Sequence, residues 1–450
     1  MRWTREVVTE ALGTAPAGPA PVGFSGVSTD TRTLAAGALF VAIPGERFDG
    51  HALLGAARER GALGAVVRAG TPPVEGLALF HVPDTVRALG RLAAVRRRQV
   101  GGPVVAITGT NGKTSTKEMM AAALRTRYRT HATPANQNNL IGVPLTVLDA
   151  PEEAEALVIE AGASLPGEIG RFREMLAPDI AVVTNAVAGH LEGFGSFEGV
   201  LREKLSLTDG VPLALVGTEP PALARGARER AGMVITAGLA GADLVPRRAE
   251  LGPDGRAVIE VDGVSFVLAA PGLHQAGNAM LVWAAARELG LDLARVGAAL
   301  EGFVLPGGRV ALTHHGRLSV LNDCYNANPQ SFRAAMVLAA ALRPGRRLVF
   351  VAGTMRELGE EEGRLHAEVA ADLAALDPDL LVGVGAFGPA LEPYRATLGD
   401  RLLRATDALE AGPAVAARLR GDELVVLKAS RGVALERILP EITARALPVD

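Results

Sequence analysis

The chain has 450 residues, 48% of them hydrophobic but only 4% aromatic, with a formal net charge of −3 and one cysteine, Cys324. Such a length exceeds one hydrophobic core and predicts two to three domains with interiors of mainly Ala, Val and Leu, while the balanced charge and scattered arginines argue against a nucleic-acid or membrane-surface role. No apolar run nears the ~18–20 residues that span a bilayer, MRWTREVVTEALG lacks a signal-peptide core, and a lone cysteine permits no internal disulfide, so a cytoplasmic setting without membrane insertion is expected.

In chain order, GALFVAI (37–43) reads as a strand, HALLGAARERG (51–61) as a helix and GALGAVV (61–67) as a second strand. DTVRALGRLAAVRRRQV (84–100) is helical and runs into the GGP break at 101–103. Beyond it, the short apolar runs VVAIT (104–108), ALVIE (156–160) and IAVVT (180–184) alternate with helices, as in a mostly parallel sheet covered on both faces. Residues 246–270 alternate around a Gly-Pro-Asp-Gly turn and predict a hairpin, followed by a helix at NAMLVWAAARELG (278–290). After LPGGR (305–309), LSVLND (318–323), RLVFVAG (347–353), DLLVGVG (379–385) and ELVVLKA (423–429) alternate with helices in a nucleotide-fold-like unit. The expected fold class is α/β, with three domains at 1–84, 85–308 and 309–450 and ligand sites in the clefts between them.

Open parallel sheets bind ligands beyond the carboxyl ends of their strands, and three such ends carry polar groups. VVAIT runs into Gly109, Thr110, Asn111, Gly112, Lys113, Thr114 and Ser115. This is a Gly-Lys-Thr loop with two residues between its glycines instead of the usual four. Its glycines let backbone amides approach phosphate oxygens, the helix that follows points its positive end at them, Lys113 can reach terminal phosphates and Thr114 can offer a hydroxyl to Mg²⁺. ALVIE ends on Glu160, which by itself is either a magnesium ligand or a carboxylate bonded to local amides. His190 follows IAVVT and by itself reads as a structural histidine. Lysine occurs only at 113, 117, 204 and 428 against 42 arginines, so the lysines are enriched for places where a bulky, permanently charged guanidinium fails to substitute.

GTNGKTS (109–115) resembles the shortened P-loop of the Mur ligase family, and the resemblance covers nearly the whole chain. STDTR (28–32) and GALFVAIPGERFDGH (37–51) are similar to the region that holds the UDP end of the substrate. NQNNLIGVPLT (136–146), IEAGASLPGEI (159–169), HLEGFGS (190–196), PGLHQAGNA (271–279), LPGGR, NDCYNANP (322–329), MRELGEE (355–361) and KASRG (428–432) follow in the family's order. YNANP, HLEGFGS and GERFDGH look like the members that add D-alanyl-D-alanine to UDP-N-acetylmuramoyl-tripeptide. The absent DNPR stretch argues against the ligase that adds the third residue, and GKTS in place of GKGS against the folate polyglutamate relatives.

The resemblance implies a three-domain architecture with a central P-loop-type, mostly parallel sheet and a C-terminal Rossmann-like domain. It also implies ATP on the 109–115 loop, with His274, Asn278, Arg309 and Asp323 completing the nucleotide site. Two Mg²⁺ would be held by Thr114, Glu160, His190 and Lys204, the last as a carbamate formed from CO₂. Lys113, His190 and Lys204 would be the catalytic set. Thr29, Asp30, Thr31, Arg32 and Gly45 would meet the uridine nucleotide and Asn138 the substrate side, while Tyr325, Asn326 and Asn328 line either the dipeptide side or the nucleotide cleft. Lys428, Ser430 and Arg431 are candidate anion contacts, and Lys117 reads as structural. Thr354, where the family pattern has aspartate, and Ala429, where glycine is common, are departures. The implied reaction passes through an acyl phosphate in a monomeric enzyme of peptidoglycan precursor synthesis. Another ligase of the same fold and a nucleotide-dependent binding protein without turnover stay open as alternatives.

Overall fold

The apolar runs become strands and the segments between them helices in the computed structural model, which describes residues 3–19, 21–45 and 49–448. Residues 46–48 of GERFDGH therefore lie outside the described residues. The chain divides into two units, one of Met1–Ala106, Tyr128–Ala163 and Glu168–Asp179, the other of Ile107–Arg127, Ser164–Gly167 and Ile180–Asp450.

In the first unit four strands run parallel in the order Val27–Ser28, Leu39–Val41, Gly64–Arg68 and Ala78–Val82. Strand alternation sends Leu39, Val41, Val66 and Phe80 to one face, against Val8, Leu12, Leu89 and Leu92. Phe40, Ala65, Val67 and Leu79 go to the other face, against Leu54 and Ala57. Burial on both faces is why these strands are continuous apolar runs rather than alternating ones. Asp84 accepts from the amides of Val86 and Arg87 and so starts the helix Thr85–Arg97. Thr130–Ala132 pairs in parallel with Ala156–Glu160, whose bounds are the expected ones.

In the second unit Ile180–Val183, Leu213–Val216 and Met233–Thr236 run parallel in that order. The expected hairpin forms around Gly252–Gly255 from Arg248–Leu251 and Arg256–Val261, and Val264–Pro271 extends it to a three-stranded antiparallel sheet. Asp262 and Gly263 turn the chain a second time with φ of 48° and 76°. The Asp262 carboxylate accepts the Trp283 indole N–H at 2.9 Å, and Trp283 stacks on Phe266 with ring centroids 5.5 Å apart, which locks this sheet to the next helix. That helix is Leu273–Glu288, so Asn278 lies inside it rather than at its start; its N-cap is Gly272, and no capping side chain signals the boundary.

The last sheet has the order Ala311–His315, Leu318–Asp323, Leu424–Lys428, Leu348–Gly353, Leu380–Val384 and Leu402–Ala405. Its first pair is antiparallel and the rest are parallel. Leu424–Lys428, the final strand in sequence, sits in the middle, so the winding reverses beside it. Asp323 and Lys428 are register partners at the carboxyl ends of the strands at that reversal, where open α/β sheets take ligands.

Candidate active site

The loop after Val104–Thr108 is braced from behind by residues 184–187. Thr110 donates its amide to Asn185 O at 3.1 Å and its hydroxyl to Val187 O at 3.1 Å, while Asn111 N donates to Asn185 Oδ1 at 3.0 Å. Thr184 Oγ1 donates to Asn111 O. A Cβ at Gly109, whose φ is 143°, would stand 1.9 Å from Thr184 Oγ1, so only glycine fits. Gly112 (φ 80°) is the N-cap of helix Lys113–Leu124 and offers no capping side chain, and the positive end of a helix is a favourable place for an anion. Lys113 Nζ donates to the carbonyls of Gly109 at 2.8 Å and Thr110 at 3.0 Å, holding the ammonium over the loop. Thr114 and Ser115 are buried in the first helical turn.

Asn278 lies against this loop: a Cβ at Gly112 would fall 2.7 Å from its Oδ1, and its Nδ2 reaches Gln275 Oε1 at 3.3 Å. Asn111 exchanges side-chain hydrogen bonds with Asn328 and donates to Gln330 Oε1 at 2.7 Å. Asn328 is also the N-cap of Pro329–Leu342 in a capping box with Ser331, so its amide is committed to the fold around the loop. His274 follows Gly272, whose missing Cβ makes room for the imidazole, 2.5 Å from where that atom would be. Burial pushes His274 down to about 4, with Asp323 opposing and Lys428 assisting, so the ring is neutral at pH 7.

Asp323 and Lys428 form an ion pair at 2.6 Å, with Lys428 1% exposed and also donating to Asn326 O at 2.7 Å. Asp323 Oδ1 accepts the Val310 amide at 3.2 Å, which ties the segment after Arg309 to the strand end. Arg309 lies over the Tyr325 ring at 3.7 Å and Arg431 at 5.2 Å. Ser430 is buried and its Oγ accepts the Arg356 amide. Removing one partner of a buried pair strands the other charge. Lys428→Met should therefore destabilise the fold by about 3 kcal/mol, read from the urea midpoint, and Asp323→Asn in the same chain should restore most of the loss. A single variant with an unshifted midpoint would refute this.

Glu160, 1% exposed, ends its strand with Oε1 accepting Asn138 Nδ2 at 2.8 Å and its own amide donating to Thr133 Oγ1 at 2.9 Å. Gly162 permits that approach, since a Cβ there would lie 2.8 Å from Asn138 Cγ. His190 has a left-handed backbone (φ 56°) and makes its hydrogen bond through Nδ1, to Glu357. Lys204, 1% exposed on helix Phe197–Leu205, points its Nζ over the Phe194 ring at 5.3 Å. Lys117 is equally buried and pairs with Glu118 at 2.5 Å. Three of the four lysines are thus interior, and Lys113 is half-buried at its loop. Among the described residues no group of three or more His, Cys, Asp and Glu converges by itself on a metal position. The Thr114 hydroxyl and the buried Glu160 carboxylate are each, taken singly, hard oxygen donors of the kind Mg²⁺ accepts from a protein, with water and phosphate supplying the rest.

In the first unit, Asp30 clamps Arg32 side-on at 2.7–3.1 Å, and this contact holds the Asp30 carboxyl at about 2. Thr29 and Thr31 flank it half-buried, and Gly45 is exposed. The two departures are accommodated structurally. The Thr354 hydroxyl accepts the Ala386 amide at 2.9 Å, and the buried Ala429 methyl lies where a Cβ at Gly353 would be 2.7 Å away. Sequence reasoning missed Gln330 and Glu357: they meet Asn111 and His190 across 219 and 167 residues, and no local pattern signals such contacts.

Three family models match: Mur ligase family, catalytic domain, over 23–97; Mur ligase middle domain over 107–286; and Mur ligase, glutamate ligase domain, over 308–431. The chain is 35% identical over 434 residues to the UDP-N-acetylmuramoyl-tripeptide–D-alanyl-D-alanine ligase of Bacillus subtilis, covering 93% of both chains. It is 36% identical to the Escherichia coli ligase of the same name, covering 81% of this chain and 82% of that one. A crystal structure of MurF from Acinetobacter baumannii superposes with a TM-score of 0.89 at 28% identity, covering 99% of both chains. MurF of Thermotoga maritima in complex with ADP gives 0.80 at 27% identity, covering 93% of this chain and 97% of that one. The architecture is the three-domain Mur ligase one, and the chain belongs to the Mur ligase family, in its MurF branch.

Proposed function

We propose that this chain is an ATP-dependent, ADP-forming ligase that joins D-alanyl-D-alanine to UDP-N-acetylmuramoyl-tripeptide in peptidoglycan precursor synthesis. The observation that carries the reading is an end-to-end match, 93% of both chains, to a relative of that name, with the lysine of the loop held over its glycines. The ADP complex of the Thermotoga relative supports ATP as the nucleotide. The domains are 1–84, 85–308 and 309–450; three matched segments in the same order support the count, the first of them running on to residue 97. The enzyme acts in the cytoplasm as a monomer, which a solution mass measurement would test.

The tripeptide carboxylate attacks the γ-phosphate of ATP, forming an acyl phosphate and releasing ADP. The dipeptide amine then attacks that carbonyl carbon and phosphate leaves. The loop amides and the Lys113 ammonium face the charge that spreads over the transferring group, so the chain's contribution is positioning and electrostatics. Thr114 and Glu160 would hold one Mg²⁺ and His190 and Lys204 a second. Bound Mg²⁺ neutralises phosphate charge and polarises its oxygens. Lys204 acts as a carbamate: its neutral amine adds to CO₂ and loses a proton, giving an anion with two oxygen donors. Its burial on a helix face, 1% exposed beside Phe194, suits a modified residue better than a solvated surface lysine. Asn278 and the neutral His274 serve the adenine end, and Asp323 and Arg309 the ribose and phosphates. Thr29–Arg32 and Gly45 serve the uridine nucleotide, and Asn138, Tyr325 and Asn326 the peptide side.

The test is phosphate release with ATP, Mg²⁺, UDP-MurNAc-tripeptide and D-Ala-D-Ala, each omitted in turn, with mass detection of the pentapeptide. Release and product that need every component support the reading. Turnover with a different amine would reassign the substrate, and tight nucleotide binding without ADP formation would make the chain a binding protein.

A further inference from the structure

His190 Nδ1 and Glu357 Oε2 are in short hydrogen-bond contact although 167 residues separate them in sequence. Both have left-handed backbones, φ 56° and 64°, which residues with a Cβ adopt only where their surroundings enforce it. The surroundings do so here. Glu192 N donates to Glu357 O at 3.4 Å, and Ala188 and Leu191 pack against the core that contains Met355 and Leu358. A carboxylate oxygen accepts, so in this Nδ1 to Oε2 contact the imidazole is the donor, and whenever the ring holds a single proton that proton is on Nδ1 and the lone pair on Nε2.

We propose that Glu357 is a positioning residue: by accepting Nδ1–H it fixes the His190 tautomer with Nε2 bare, so that the turn following Leu348–Gly353 prepares His190 for a divalent cation. The inference rests on the reading of His190 as a metal ligand given above. Carboxylates placed behind metal-binding imidazoles serve in this way, and their loss weakens metal binding about 10–100-fold.

Nitrogen-15 histidine spectra at alkaline pH report the tautomer directly, and the absence of one signal in His190→Asn assigns His190 among the 8 histidines. Mn²⁺ alone, without nucleotide, is titrated by electron paramagnetic resonance. The wild-type ring is expected as the Nδ1–H tautomer. Glu357→Ala should release it to Nε2–H and weaken Mn²⁺ binding about tenfold, whereas Glu357→Gln, whose amide oxygen still accepts, should stay near wild type. An Nε2–H ring in the wild type, no measurable Mn²⁺ uptake by the wild type, unchanged affinity in Glu357→Ala, or equal losses in Ala and Gln would each overturn the proposal. None of these measurements requires turnover. A chain that makes product but shows Nε2–H refutes this inference alone, and one with the expected tautomer but no product refutes the ligase reading alone.

Discussion

Lys113→Ala should lower kcat by roughly 10³-fold, a loss of the size seen when one preorganised transition-state donor is removed. The ammonium already bonds the carbonyls of Gly109 and Thr110 at 2.8 and 3.0 Å, so no reorganisation is needed to present it to a phosphate seated on the loop. Lys113→Arg should fare little better, because a planar fork cannot cap two carbonyls of so tight a turn. The thermal transition should move by only a few degrees, since two half-buried hydrogen bonds contribute about 1 kcal/mol each. Turnover within tenfold of wild type would remove Lys113 from the mechanism. A collapsed transition would show that its role is in folding.

Lys204 is the second position where a large loss is expected. Both Lys204→Ala and Lys204→Arg should fall roughly 10²–10³-fold, because neither can add CO₂. The two variants should part on rescue. Alanine leaves a gap beside Phe194 that a small carboxylate such as acetate can enter, restoring an oxygen donor, whereas arginine keeps that space filled. Wild-type activity should also drop when CO₂ is stripped from the buffer and return with bicarbonate. If arginine supports turnover, or acetate leaves the alanine variant unchanged, Lys204 acts as a cation and the carbamate is wrong.

Much of this was legible from local pattern. Val104–Thr108 and Ala156–Glu160 stand at the expected bounds because an apolar run between turn residues has one buried-strand solution. Leu213–Val216 and Ala311–His315 escaped notice: the first is four residues long, and the second carries two histidines on an exposed edge, so neither shows a strand period. Leu273–Glu288 began early because a glycine N-cap gives no side-chain signal. The loop glycines, Lys113 and Glu160 were readable because phosphate chemistry demands those residue types at a strand end. Their supports were not. Thr184, Gln330 and Glu357 do their work across contacts 73, 219 and 167 residues apart, which only the folded chain defines.

The placement of the lysines has a practical corollary for chemical labelling. With Lys117, Lys204 and Lys428 each 1% exposed and arginine everywhere else, the folded protein offers acylating reagents almost no side-chain amine. Lys113, half-buried at the loop, is the most accessible of the four. A single slow acylation, blocked by bound nucleotide and located by peptide mapping, would serve as an occupancy meter for the phosphate loop. A burst of further acylation would signal that the chain had opened.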